Sequence, residues 1–426
     1  MAVQELPLFT NADLAGKVVL IRMDHNVVKK GKIKDTMRID ASLPTLKAII
    51  AQGGLPIVMT HVGRPLDKKT GAINISDDDA VTPIVGYIDQ QLGKKGLIPS
   101  LAATSGPGIT DLTPLQDAVN QLKAGKADYL YLPNVRWFQG EEAKDGREDT
   151  FAASLASYVD LYVNDAFGSW QPHASTYAIT RHLPSFAGYL MQKEVESLNK
   201  VFAPRRPFVA VVAGSKFDTK IGPLSSLIKS CDHLVLGGVL YKAYLCHKYG
   251  FKIDDVSQED IDLAAKFASE AGAHLDKIVE LPALIQTDFV DKREDGSTRP
   301  IILKDYSSGD NLGEILDAAP ISFEDAHVRE VFMNAGTIFV NAVMGFMPLF
   351  WEGSSALYSL IAQNKDAQKL FGGGDTIQEF SSLLPQIFQS AAQDPNYYFF
   401  TGGGAILNAI EQGSPYGMKP VAALIK

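Results

Sequence analysis

Phe208 to Lys220 reads FVAVVAGSKFDTK, and the architecture follows from it. Val209, Ala210, Val211 and Val212 form a short apolar run with a β-branched bias, which predicts a buried strand. Gly214 ends that strand where a tight turn must begin. Lys216 and Lys220 lie four residues apart, so on a helix leaving the turn they share one face. Together with the free N–H groups of a helix start they make a place for an anion. Lysines at this spacing equally describe a solvated face, so the rest of the chain has to decide.

Working outward, short apolar runs alternate with longer amphipathic stretches, the pattern of an α/β protein with largely parallel sheets. Strands are predicted over Val18–Met23, Pro56–Thr60, Tyr129–Leu132 and Leu161–Val163 in the first half. In the second half they fall at Phe208–Ala213, His233–Leu236, Ile278–Leu281, Thr337–Val340, Lys369–Phe371 and Tyr397–Phe400. Several run straight into Asp24, His61, Asn134, Asn164, Gly214, Asn341, Gly372 and Thr401. Ligands of open α/β sheets bind beyond the carboxyl ends of strands, so this placement points to function. Between the two sets, Gly188–Phe202 carries Leu190, Met191, Val195, Leu198 and Val201 at roughly helical spacing and ends before Ala203-Pro204, which predicts a helix joining two domains. Asp288–Ser297 reads as a solvated loop.

At 426 residues the chain exceeds one compact core and fits two domains. With 46% apolar and 21% charged residues it has the composition of an ordinary globular protein. A net charge of −9 without any basic run argues against nucleic acid as a partner. No apolar stretch approaches bilayer length, so no membrane association is expected, and no targeting pattern is seen at the start. Cys231 and Cys246 are too few for a disulfide framework or a zinc site, which suits a reducing cytoplasm.

In the first half, one strand end delivers Asp24 and Asn26, Lys30-Gly31-Lys32 makes a turn, and Arg38 opens an amphipathic segment. A second strand end delivers His61 and Arg64, and a third delivers Asn134 and Arg136. Three arginines beyond strand ends suit a small, multiply anionic ligand, because guanidinium groups grip phosphate and carboxylate oxygens bidentately. Each alone has a plainer reading as a cap, an interior histidine or a surface ion pair.

The segments RMDHNV, DTMRIDASLPT, IVMTHVGRP, NVRW with GEE following, and YVNDAFG with HAST following resemble the phosphoglycerate kinase family, in order and at similar separations. AGSKFDTKIGPLSSLI, HLVLGG, FVNAVMG, GGGDT, TGGGA and the closing PVAALI continue the resemblance over nearly the whole chain. It implies two Rossmann-like three-layer α/β domains with mainly parallel sheets, joined by a connecting helix. Residues 1–187 would form the 3-phosphoglycerate domain with 414–426 packing back on it, 188–204 the helix and hinge, and 205–413 the nucleotide domain. By the same resemblance Asp24, Asn26, Arg38, His61, Arg64 and Arg136 hold the acid and its phosphate. Lys216, Lys220 and Asn341 face the nucleotide phosphates, with Gly214, Gly237 and Gly238 lining that site. Gly373, Gly374, Asp375 and Thr376 open a helix there, with Asp375 as the magnesium ligand.

The residues of GGGDT agree, since glycines let backbone N–H groups approach phosphate and a carboxylate suits magnesium. Both glycine triplets, Gly372–Gly374 and Gly402–Gly404, follow apolar strands. Neither forms a dinucleotide fingerprint, and no P-loop motif occurs. The implied reaction is reversible phosphoryl transfer between 1,3-bisphosphoglycerate and MgADP, giving 3-phosphoglycerate and MgATP in glycolysis. Arg38 and Lys216 would neutralise the transferring group, with N–H donors at Gly374 and Gly403, and the two domains would close by hinge bending in a monomer. The competing reading is a nucleotide-binding relative whose kinase activity is lost or redirected to another acyl phosphate.

Three departures from the family pattern bear on this. The family commonly writes NDAFG followed by T-A-H-R-A-H-A-S, whereas this chain has Ser169 to Ser175, SWQPHAS, one residue shorter and without the arginine. Gln171 offers a neutral hydrogen bond in its place. The loop usually written W-N-G-P-M-G-V-F-E runs here from Val340 to Pro348 without the ribose-binding glutamate, and Glu352 follows a few residues on. His25 replaces the usual phenylalanine, and Val239 stands where a third glycine often follows Gly237 and Gly238.

Overall fold

The run Val18–Met23 is buried at every position, as a strand covered on both faces requires. In the computed structural model, which describes residues 5–425, it is the first of sixteen strands. The chain separates into two compact units, Met1–Val195 with Tyr416–Lys426, and Glu196–Pro415. The helix Tyr189–Phe202 runs across that division.

The first unit contains β1 (Val18–Met23), β2 (Val28–Lys29), β3 (Lys32–Ile33), β4 (Leu55–Met59), β5 (Gly96–Leu97), β6 (Tyr129–Tyr131), β7 (Leu161–Asp165) and β8 (Ser185–Ala187). Six of these form one parallel sheet in the order β5-β6-β4-β1-β7-β8, and β2 with β3 makes a separate hairpin around Lys30-Gly31. Because β1 pairs β4 on one side and β7 on the other, Arg22 stands level with Met59 and Asn164. The helix Met37–Ala51 buries Ile39, Leu43, Leu46 and Ile49, spaced so that they line one face. That face packs into a core shared with Val19, Ile21 and Val58 of the sheet.

The second unit contains β9 (Phe208–Gly214), β10 (His233–Gly237), β11 (Ala283–Thr287), β12 (Thr298–Ile302), β13 (Glu314–Ala318), β14 (Thr337–Asn341), β15 (Gln368–Gly372) and β16 (Tyr397–Phe400). Its parallel sheet runs β10-β9-β14-β15-β16, so the opening stretch is central. A second, antiparallel sheet runs β12-β11-β13.

The strand expected over Ile278–Leu281 is a difference. Its apolar residues are buried, but Ile278 makes only a single bridge to Leu234, and the strand forms later, at Ala283. Asp288–Ser297 is the turn between β11 and β12. Cys231 and Cys246 are both buried and unpaired. Among the described residues no helix is long and apolar enough to cross a membrane.

Candidate functional site

Each parallel sheet gathers its chemistry at the carboxyl ends of neighbouring strands. In the first unit, β1 leads to Asp24 and Asn26, β4 to His61 and Arg64, and β6 to Asn134 and Arg136. Arg38, in the first turn of the helix Met37–Ala51, pairs with the Asp24 carboxylate at 3.3 Å. The other Asp24 oxygen, Oδ1, is buried without a partner, which leaves an acceptor available to a ligand. Asn26 Oδ1 accepts the Gly63 N–H at 2.9 Å, and the Arg136 guanidinium donates to the Gly63 carbonyl and pairs with Glu142 at 3.2 Å. The loop from His61 to Arg64 is thereby held from two sides. Asn134 is scaffolding: its buried amide bonds both the N–H and the C=O of Val62, at 3.0 and 2.7 Å. Arg64 is exposed and lines an open groove together with Asn26, Gly63, Lys29, Lys30 and Lys34.

Arg22 belongs to this site, although in the sequence it stands only as one residue of a strand. It is 1% exposed, and one of its terminal nitrogens, Nη2, donates to His61 Nδ1 at 2.9 Å. A guanidinium has no acceptor, so the His61 proton sits on Nε2. Burial and the Arg22 charge both hold His61 well below the usual histidine range, and it is neutral. The signal was present: a lone arginine inside an otherwise apolar run, two residues before Asp24.

His25 is a core residue. Ser42 Oγ donates to the Ile39 carbonyl and therefore accepts from His25 Nε2 at 2.7 Å, while His25 Nδ1 accepts from Tyr131 OH at 2.8 Å. Burial first, then Arg22 and Arg38, push it down to about 3. Gln171 is exposed, and its main-chain carbonyl accepts from Thr176 Oγ1 and the His173 N–H within its own loop, at 2.6 and 3.0 Å. None of these contacts joins it to the arginines.

In the second unit, Lys216 is exposed on the turn after β9, and Lys220 stands immediately before the helix Ile221–Ser230. The Lys220 methylene stem lies over Gly214, its ammonium donates to Asn341 Oδ1 at 2.6 Å, and Asn341 Nδ2 donates to the Gly372 carbonyl at 2.6 Å. This chain ties the ends of β9, β14 and β15 together. Gly373, at φ +113°, turns the backbone into the helix Gly374–Leu383, and a Cβ there would sit 3.0 Å from Asn341 Nδ2 and 3.2 Å from Thr376 Oγ1. Gly403 opens the helix Gly403–Glu411 so close by that a Cβ on it would lie 2.5 Å from Gly373 Cα. Two helix starts therefore meet at backbone contact, each with free N–H groups.

Gly214 and Gly238 bridge each other, and Gly237 lies beside Met344. Asp375 is exposed in the first turn of its helix. Glu352 is engaged elsewhere, paired to Arg293 at 2.5 Å. Among the described residues no cluster of three or more metal-ligating side chains occurs.

Residues 9–413 match the family model described as phosphoglycerate kinase. The chain belongs to that family. A phosphoglycerate kinase of Dictyoglomus turgidum is 32% identical over 408 residues, covering 94% of each chain. A phosphoglycerate kinase of Trichodesmium erythraeum is 32% identical over 413 residues with the same coverage. A chloroplastic phosphoglycerate kinase of Volvox carteri is 34% identical over 94% of this chain and 82% of its own length. Among solved structures, phosphoglycerate kinase from Coxiella burnetii superposes with a TM-score of 0.76 at 26% identity, covering 99% of this chain and all of the other. The phosphoglycerate kinase of Pyrococcus horikoshii, at 20% identity and a TM-score of 0.74, shares the fold over 98% of this chain and 99% of its own. As a family member the chain is a phosphotransferase with a carboxyl group as acceptor.

Lys220 carries a pH signature. Burial pushes its ammonium down to about 8, against the upward pull of Asp375. Phosphate binds the charged form, so affinity for MgADP is expected to be level below about pH 7 and to fall roughly tenfold per unit above about pH 8, with proton uptake on binding in that range. Titration calorimetry in buffers of different ionisation enthalpy checks this, and Lys220→Arg should abolish the step because arginine stays charged. Constant affinity and no proton uptake up to about pH 9 would exclude Lys220 from phosphate contact.

Proposed function

We propose that this chain catalyses reversible phosphoryl transfer between the acyl phosphate of 1,3-bisphosphoglycerate and MgADP, with the acid held on the first unit and the nucleotide on the second. The observation that carries the reading is the meeting of two helix starts at Gly373 and Gly403 above the Lys220–Asn341 bond. Free N–H groups and the Lys220 ammonium meet there, with the exposed Lys216 on the same turn as Lys220, as a chain of phosphates requires. On the first unit, Arg38, Arg64 and Arg136 with the Nε2–H of His61, oriented by buried Arg22, supply donors for a three-carbon acid that carries a carboxylate and a phosphate.

In the direction that consumes ATP the attacking group is a carboxylate, ionised near neutral pH, so no general base is needed. Catalysis then rests on placing the reactants and on neutralising charge at the transferring group, the work assigned to Arg38, Lys216 and the N–H groups at Gly374 and Gly403. Asp375 is the protein ligand assigned to magnesium. One carboxylate suffices, because this ion keeps waters and substrate phosphate oxygens as its other ligands. Since the two substrates sit on different units, turnover requires a closing motion, assigned to the region of the helix Tyr189–Phe202.

A coupled assay with MgATP and varied 3-phosphoglycerate tests the reading. Saturable turnover is expected, and Gln171→Arg should lower the KM for the acid about tenfold, the scale of one added charge-assisted contact. Absence of turnover at saturating acid, in protein that still binds MgADP, would leave a nucleotide-binding protein with another acid or none.

A further inference from the structure

Glu141 is 1% exposed and belongs to none of the strand ends that carry the site. Both of its oxygens are spent on one residue: Ser175 Oγ donates to Oε1 at 2.6 Å, and the Ser175 N–H donates to Oε2 at 3.0 Å. A serine hydroxyl has one proton. With that proton on Glu141, the Ser175 lone pairs face the other way and accept from Arg22 Nε at 2.8 Å. Arg22 donates in turn to the Met23 carbonyl and to His61 Nδ1. A directional chain thus runs from a buried carboxylate through a hydroxyl and a guanidinium to an imidazole.

We propose that Glu141 is a positioning residue for the acid site: it orients Ser175, Ser175 fixes the plane of Arg22, and Arg22 sets the His61 tautomer that presents Nε2–H to the ligand. Burial pushes Glu141 up to about 7 while the Arg22 charge and the two Ser175 donors pull it back, so its ionised form, which balances the buried Arg22 cation, is favoured as pH rises through neutrality. Glutamine cannot replace it, because its amide accepts at only one end and leaves one of the two Ser175 donors facing an NH2 group. Alanine at Ser175 breaks the chain at its middle link while leaving Glu141 and Arg22 in place.

The inference rests on the acid site proposed above, and its test separates the two. Wild type, Glu141→Gln, Ser175→Ala and the double variant are assayed with 3-phosphoglycerate and MgATP, with thermal unfolding as the control for folding. Each single variant is expected to raise the KM for the acid about tenfold, with kcat and the KM for MgATP within about twofold of wild type, the scale of one lost hydrogen bond to a charged group. The double variant should resemble the singles, since both act through one chain. An unchanged KM for the acid, a matching rise in the KM for MgATP, or losses that multiply in the double variant would overturn the assignment. Should Glu141→Gln fail to fold, Ser175→Ala alone decides by the same criteria. Absence of turnover in wild type would strike the acid-site reading instead, and a direct titration of wild type and Ser175→Ala with 3-phosphoglycerate then decides the positioning role: equal affinities overturn it.

Discussion

Lys216→Ala is expected to lower kcat by about a hundredfold or more, the cost of removing one preorganised contact to charge that develops in the transition state. The two lysines of the opening stretch differ in structure, and the expected effect follows from the difference. Lys220 is anchored on Asn341 Oδ1 at 2.6 Å, which suits holding a phosphate that does not move. Lys216 is exposed on the turn between β9 and the following helix, so its ammonium is available to a group passing between substrates. Its loss should therefore depress kcat more than it raises the KM for MgATP. Steady-state kinetics of Lys216→Ala against Lys216→Arg checks this. Near-wild-type turnover in the alanine variant would remove Lys216 from the chemical step.

Gly403→Ala is expected to weaken MgADP binding by about tenfold to a hundredfold, the range for lost hydrogen bonds to a charged group. The added methyl would lie 2.5 Å from Gly373 Cα and 2.9 Å from Gly373 N, both backbone atoms that cannot rotate aside. The two helix starts must separate to admit it, and their N–H groups then no longer converge. Overpacking of this kind costs about 1–3 kcal/mol of stability, so a lowered Tm should accompany the loss. Gly374→Ala is the contrast, because nothing lies within 4 Å of a Cβ at that position. Calorimetric titration of the pair with MgADP separates crowding from a general intolerance of alanine. Equal affinities would contradict the paired cradle.

Particular residues show why much of this was legible before the structure and some was not. Val209 to Val212 announced a buried strand, because a continuous apolar run leaves no alternation to misread. Glycine triplets after apolar strands announced phosphate-facing turns, and the family resemblance added the helix starts. The antiparallel sheet was missed because its strands carry weaker signals: β12 contains Pro300, tolerated only because β12 is an edge. Ile278–Leu281 misled for the converse reason, since a buried apolar run resembles a strand whether or not its backbone finds a partner.

Arg22 was hidden by its place within a strand, and Glu141 by a role that depends on Ser175, 34 residues away in sequence. No spacing rule connects them. The His25 substitution was visible, but its meaning was not. Ser42 and Tyr131, which satisfy its two nitrogens, come from a helix and a strand distant in the chain. The Arg293 that occupies Glu352 likewise lies 59 residues from it, so only the fold could say that this acid is committed.

The central claim is that a phosphoryl group moves from MgATP to a carboxylate. Its most direct test is to trap the product: the protein is incubated with MgATP and 3-phosphoglycerate in the presence of hydroxylamine, which converts an acyl phosphate to a hydroxamate. The expected result is one hydroxamate formed for each ADP released, with neither appearing when the acid is omitted. ADP released without hydroxamate, or phosphate transferred to a hydroxyl and stable to hydroxylamine, would contradict it.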